Sequence, residues 1–189
     1  MTSSPDSTID DPQLVGYPAE SAGSPQVGVG ATIRSGTIIY DDVQIGDNLS
    51  TGHHALIREN TTIGDNVTVG TNVIIDGNVT IGSNVSLQSG VYIPPGTTIG
   101  DNVFIGPFAV LTNDPYPVRV DTELAGPRIA DHVSIGANAT VLPDIEIGEH
   151  AFIAAGSVVV NDVPSEQLAM GVPATTRPLP DELRKPNNI

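Results

Sequence analysis

No cysteine occurs in the 189 residues, which excludes a thiolate nucleophile, a disulfide framework and a Cys-based zinc site. Any catalyst must work with imidazole, carboxylate, amide, hydroxyl or backbone groups. Imidazole is scarce, with His53, His54, His132 and His150 the four histidines. Asn113 and Asp114 precede Pro115 and Tyr116, where they either open an Asx turn or present an amide and a carboxylate to a ligand. Tyr116 itself is placed to stack on a ligand or to anchor its own loop. Basic residues number seven against 22 acidic ones. Arg58, Arg119 and Arg128 would each suit a diphosphate, and each would equally suit a surface pair with a nearby acid.

The balance of charge narrows the partners. A formal net charge of −15 repels nucleic acid and anionic membranes. No apolar run approaches the roughly 18 residues of a membrane-spanning helix. Residues 1–26 contain no Lys or Arg, unlike a secretory signal or a mitochondrial presequence, so the expected location is cytoplasmic. Fifteen of the 22 acids are Asp, which reads as a halophile surface or an ordinary acidic one.

The positions of these groups follow from a repeat. From Val27 every sixth residue is aliphatic, through Ile33, Ile39 and Ile45 to Leu111, and again from Ile129 to Val159. Of these 21 positions Thr51 alone is polar. Three places after each comes Gly, Asn, Asp or His, the types that tolerate positive φ, with Phe108 the one exception. Neither a helical nor an alternating-strand period produces this spacing. A short extended segment and a bend do. Three bends close a triangular coil of three hexapeptides, and 21 hexapeptides make about seven coils, stacked ~4.8 Å apart by parallel pairing.

The chain therefore divides into a polar, partly disordered leader over 1–26, a β-prism over 27–164 and an extension over 165–189. Residues 112–128 lack the bend pattern and are expected to leave the prism as a loop. Residues 179–185, with Pro180 and Asp181 in the first turn, are compatible with a short helix. His54, His132 and His150 fall in the bend column, where His replaces Asn sterically. His53 lies one place earlier, in the hexapeptide of Thr51, and is the histidine with a functional reading. Ala137 and Ala155 are three hexapeptides apart and so sit above one another on adjacent coils.

The run Ile63-Gly-Asp-Asn-Val-Thr-Val69 resembles the hexapeptide-repeat acyltransferases, and the resemblance covers about residues 27–178. It implies an all-β, left-handed parallel β-helix, although the usual crossover is right-handed. Ile153-Ala-Ala-Gly-Ser-Val158, Asn161-Asp-Val-Pro164 and Gly171-Val-Pro-Ala174 are similar to the end of acetyl-CoA-dependent members. Val110-Leu-Thr-Asn-Asp-Pro-Tyr-Pro-Val-Arg119 looks like the nucleotide-linked amino-sugar N-acetyltransferases, and Thr51-Gly-His-His-Ala-Leu-Ile-Arg-Glu59 is compatible with them.

The resemblance implies a homotrimer with active sites between subunits, acetyl-CoA as donor and a nucleotide-linked amino sugar as acceptor. It places Asn113, with Asp114, against the reacting amine or carbonyl. Arg58, Glu59, Tyr116 and Arg119 become candidate acceptor contacts. It places backbone groups at Ala137 and Ala155, beside Gly156, along the pantetheine arm. Asn161 stands where many relatives have a basic residue, which shifts the phosphate contact to Arg177, Arg184 or Lys185. The O-acetyltransferases of the family usually carry a catalytic His in or near the loop, and residues 112–128 have none. An amine presents its own lone pair near neutral pH, whereas an alcohol needs a positioned base. N-acyl transfer is therefore expected, with O-acetyl transfer using His53 as base the alternative. No metal is expected. A γ-class carbonic anhydrase would need three convergent histidines, and a non-catalytic β-helix would not need the loop.

Overall fold

The fold is seen in a computed structural model that describes residues 8–9, 14–17 and 24–189. Short strands recur at the six-residue period and stack into three sheets of ten, eight and seven strands, parallel throughout except for the last strand of the ten. We call these faces A, B and C. Each strand exchanges hydrogen bonds with the strand one coil away, as in Thr68–Val69 against Ser86–Leu87 and Ile74–Ile75 against Tyr92–Ile93. The result is a left-handed parallel β-helix of about eight turns.

The aliphatic column points inward, and Ile33, Ile57, Ile75, Ile93, Ile105 and Ile135 are fully buried. Between them sit the smaller Val67, Val73, Val85, Val103 and Ala109 of the second column. Each corner bends through a left-handed residue. Nineteen of the 21 corner positions have positive φ, Phe108 included at 58°; Asp114, at the loop, and Asp162, at the exit, do not. Backbone bonds then tie corners coil to coil, for example Asn66 N–H to the Asp47 carbonyl at 2.8 Å.

Corner CA, between faces C and A, is capped by its own side chains. Asp47 Oδ1 accepts from the Val29 N–H at 2.8 Å, Asp65 from Asp47 at 2.7 Å, and Asp131 from Asp101 at 2.8 Å. Asn48 and Asn66 extend a parallel amide ladder, 3.0 and 3.2 Å per step. Thr51, the polar residue of the inward column, has a structural explanation. Its Oγ1 accepts the Arg34 N–H at 2.9 Å, replacing the carbonyl that serves elsewhere on face A, and meets buried Thr37 Oγ1 at 3.2 Å.

Two expectations change. The prism starts before Val27, because Thr8–Ile9 pairs with Thr32–Ile33 and Leu14–Tyr17 with Ile38–Tyr40. Ile9 and Val15 continue the six-residue column backwards; residues 1–7, 10–13 and 18–23 lie outside the described residues. The extension is a β-hairpin, Gln167–Gly171 against Ala174–Pro178, followed by one 3₁₀ turn at Asp181–Leu183. Pro180 and Pro186 bracket too few residues for an α-helix. Beyond that turn the chain runs back along face A, where Asn187 accepts from Ser134 Oγ at 2.7 Å and donates to the Asn102 and Val133 carbonyls.

Two substitutions test this account by denaturant unfolding. Thr51→Val, which removes the hydroxyl that accepts the Arg34 N–H and meets Thr37 Oγ1, should cost about 1–3 kcal/mol. Ile75→Ala, which opens a cavity between coils, should cost about 2–5 kcal/mol.

Candidate active site

A prism repeats its chemistry in columns, so a residue's corner decides what it can meet. Corner AB, between faces A and B, stacks Ser35, His53, Thr71, Ser89, Pro107, Ala137 and Ala155. None of these carries a carboxylate, and among the described residues their backbone N–H groups have no side-chain cap. This is the opposite of corner CA. Ala137 and Ala155 consequently offer open N–H groups beside small side chains. The Ala137 carbonyl is taken by the Gly156 N–H at 2.8 Å, whereas the Ala155 carbonyl, on the last coil, accepts from no described residue. Gly156 has φ 70°, and a Cβ there would meet nothing within 4 Å, so the end of this corner is open to a ligand.

His53 lies on the same corner but about five coils before Ala155, roughly 24 Å away at ~4.8 Å per coil. Its Nδ1 is 2.9 Å from Ser35 Oγ and 3.4 Å from the Ser35 carbonyl. That leaves Nε2 as the outward nitrogen. On the coil before Ala137, Phe108 is 62% exposed, its ring lying where Gly90 has no side chain.

Corner BC carries the loop. Asn113 roots it: its Nδ2 donates to the Pro95 carbonyl at 3.2 Å, and its own carbonyl accepts the Ala125 N–H at 3.0 Å, closing the base. Asn113 Oδ1 is left to accept from a ligand. Asp114 Oδ1 accepts the Tyr116 N–H at 2.8 Å, so the Asx turn is formed. Tyr116, Val118, Val120 and Leu124 all stand out in solvent, and Val118 has φ 54°, strained for a β-branched residue.

Arg58 and Glu59 lie on the loop's side of face B, about three coils earlier. Arg58 is fully engaged. It grips Glu59 through Nη2 and Nε at 2.7 and 3.1 Å, donates to Asp76 at 3.0 Å and lies 5.6 Å from the centre of the Tyr40 ring. Tyr92 OH closes the network on Asp76 at 2.8 Å. Arg128 is likewise held by Glu146 and Asp144, at 2.9 and 3.1 Å. Arg58 and Arg128 therefore both take the ion-pair option. Arg184 pairs with Glu166 at 3.0 Å. Among the described residues Arg119, Arg177 and Lys185 make no ion pair.

Within one chain, then, His53, Ala137, Ala155 and Gly156 share one edge of face B. Arg58, Glu59, Asn113, Asp114, Tyr116 and Arg119 share the other, and Arg177 is in the C-terminal hairpin. The structure does not bring His53 and Asn113 together. The Asp76–Tyr92 pair does not stand out by residue type, although Asp76 follows Arg58 by three hexapeptides and so has to lie beside it.

The family described as bacterial transferase hexapeptide (six repeats) matches residues 60–95, 78–113 and 126–161. No curated protein matches. UDP-N-acetylglucosamine O-acyltransferase (LpxA) from Moraxella catarrhalis superposes with a TM-score of 0.72 at 25% identity, over 96% of this chain and 76% of that one. LpxA from Acinetobacter baumannii gives 0.63 at 19%, over 95% and 75%. UDP-N-acetylglucosamine acyltransferase from Francisella novicida gives 0.62 at 20%, over 96% and 72%. The last two share the fold. No helix among the described residues is long and apolar enough to cross a membrane.

Burial, then the bond to Asp76, pushes the Tyr92 phenol up to about 12 from an ordinary value of 10.0. A raised folded-state value favours the protonated phenol, so its stabilisation is full below about pH 10 and is lost as pH rises towards about 12. Spectroscopic titration of tyrosinate should show one late-ionising tyrosine that Tyr92→Phe removes. Four tyrosines titrating together near pH 10 would contradict the network.

Proposed function

We propose that this chain, which matches the bacterial transferase hexapeptide family over residues 60–113 and 126–161, moves an acetyl group from acetyl-CoA to the amine of a nucleotide-linked amino sugar. The observation that carries this choice of acceptor is the root of the loop. Asn113 is fixed there through Nδ2 with Oδ1 available, and residues 112–128 contain no imidazole. Asn113 Oδ1 can accept one N–H of a neutral amine and so aim its lone pair at the thioester carbonyl. The new C–N bond forms as the C–S bond breaks, and the proton shed by nitrogen ends on the departing thiolate, directly or through water. Asp114, at the head of the Asx turn, keeps a second carboxylate oxygen for the acceptor or for that proton.

The donor is laid along corner AB, its pantetheine amides against the open N–H groups of Ala137 and Ala155 and the carbonyl of Ala155, with Gly156 leaving room. Arg177, in the adjoining hairpin and without an ion pair among the described residues, suits the donor phosphates. Arg119, on the loop and without an ion pair among the described residues, suits the acceptor's diphosphate, and Tyr116 its base or sugar ring. Glu59 and Arg58 contribute a neutralised, polar wall. Donor and acceptor edges occupy different corners of one prism, so a complete site takes corner AB of one copy and the loop edge of the next. A homotrimer provides this three times, and the exposed apolar loop residues gain a surface to cover. The acidic surface suits a cytoplasm rich in salt.

A second reading, O-acyl transfer with His53 as base, is favoured by the outward Nε2 that Ser35 enforces and by the hydroxyl-directed activity named for the Moraxella structure.

Thiol release from acetyl-CoA, measured in high salt with dTDP- and UDP-linked amino sugars and their hydroxyl counterparts, separates the two. We expect only amines to react, Asn113→Ala to lower kcat by roughly tenfold or more, and His53→Ala to keep turnover within a few-fold. Reaction of hydroxyl acceptors alone, with a loss of about 10²–10⁴ in His53→Ala, would overturn N-transfer in favour of the base mechanism.

A further inference from the structure

Corner CA lies across the prism from both edges of the transferase site, and its last two coils differ from those before. The Asp and Asn ladder gives way to His132 and, one coil on, Glu149 and His150. Positive φ at both histidines, 61° and 58°, turns the two side chains out of the corner in the same direction. Their rings stack with centroids 4.5 Å apart and planes 2° from parallel.

We propose that His132, Glu149 and His150 form a binding site for one divalent transition-metal ion of the zinc class. One ligating atom from each residue lies within 4.8 Å of the other two. His150 Nε2 is 3.5 Å from Glu149 Oε1. Two ligands each about 2.1 Å from a common ion stand about 3.4 Å apart at a tetrahedral angle, so this pair is already spaced as a chelate. His132, within 4.8 Å of the other two, has to close by up to about 1.4 Å to reach that spacing and complete the set. An imidazole lone pair lies in the plane of its ring, so one ring must also tilt out of the stack to face the ion; among the described residues no side-chain hydrogen bond to His132 Nδ1 resists that tilt. Asp131, next along the corner, is held in place by its Oδ1, which caps the Asp101 N–H.

The donor set is two neutral imidazoles and one carboxylate, with the outer side open to water. That composition suits Zn²⁺, Co²⁺ or Ni²⁺ and discriminates against Mg²⁺ and Ca²⁺, which prefer oxygen. The ion would tie the coil of His132 to the coil of Glu149 and His150, next to the exit of the chain from the prism. In a molecule of net charge −15 it would also neutralise acid on the corner where carboxylates are most concentrated. The site stands apart from acyl transfer and contributes no step to it.

The test uses the full chain without a polyhistidine tag, ZnCl₂ as probe and MgCl₂ as control. Substitutions are His132→Asn and His150→Asn, since Asn is the usual residue of this column and keeps the left-handed bend. Expected are one Zn²⁺ retained per chain after desalting, a rise in Tm with ZnCl₂ that MgCl₂ does not reproduce, and at least a tenfold weaker binding in either variant. Both variants should retain the metal-free Tm within a few degrees and, because the site is remote from the loop, unchanged acyl transfer. Failure to retain zinc, or an equal Tm rise in the double variant, overturns the proposal and leaves the transferase assignment untouched.

Discussion

A backbone that turns a corner three times in every coil must put one residue of each hexapeptide into the left-handed region, where a Cβ meets the carbonyl oxygen that follows it. Gly escapes this cost, and Asn, Asp and His bear it best. Once the bend is made, its N–H finds the carbonyl one coil below, and the inward aliphatic falls directly over its predecessor. Core, sheets and corners thus depend on one recurring torsional condition. Phe108 shows how far the surroundings can enforce it. At φ 58° an aromatic residue occupies the bend because the Gly90 beneath leaves space for its ring.

Because residues one coil apart become neighbours, functional groups come in columns, and the three corners have diverged in kind. Corner CA spends its carboxylates on its own N–H groups, which accounts for part of the excess of Asp and leaves those backbone donors occupied. Corner AB has Ser, His, Thr, Pro and Ala in the equivalent positions, and among the described residues the N–H groups that these carry have no side-chain cap. Corner BC is interrupted by the loop. A ligand with amide groups of its own therefore finds partners on one corner and a self-satisfied surface on another. The three-way pairing of Arg58 illustrates the same rule among charges: in so acidic a chain most guanidinium groups are already engaged, and those that are not become informative.

Much of the fold can be read in the residues alone, since a period of six with Gly, Asn or Asp three places on calls for a three-cornered coil, whereas the hand of that coil does not follow from the spacing. The loop over 112–128 is legible as an absence of that period. The leader is harder. Ile9 and Val15 keep the count, but the strand at Thr8–Ile9 pairs four hexapeptides ahead, one more than a coil. Thr51 draws attention to its neighbourhood as a candidate site, whereas its hydroxyl replaces a backbone acceptor, a substitution visible only once Arg34 is seen beside it. His132 and His150 pass for spacers when each is weighed alone; that both stand in one column, one coil apart, is the signal that joins them. Side-chain pairing across coils is computable from that interval, but the course of an irregular loop and the fold-back of Asn187 are not.

The hairpin at Gln167–Gly171 and Ala174–Pro178 has a meaning beyond its own coil. A parallel β-helix is in principle endless, because the rim of its last turn presents the same unsatisfied row that every earlier turn offered to its successor. Reversing the polarity of the final strand replaces that row with one whose spacing and direction no further turn can copy. The molecule thereby limits its own length at that rim, and a discrete particle exists where a filament could otherwise have grown.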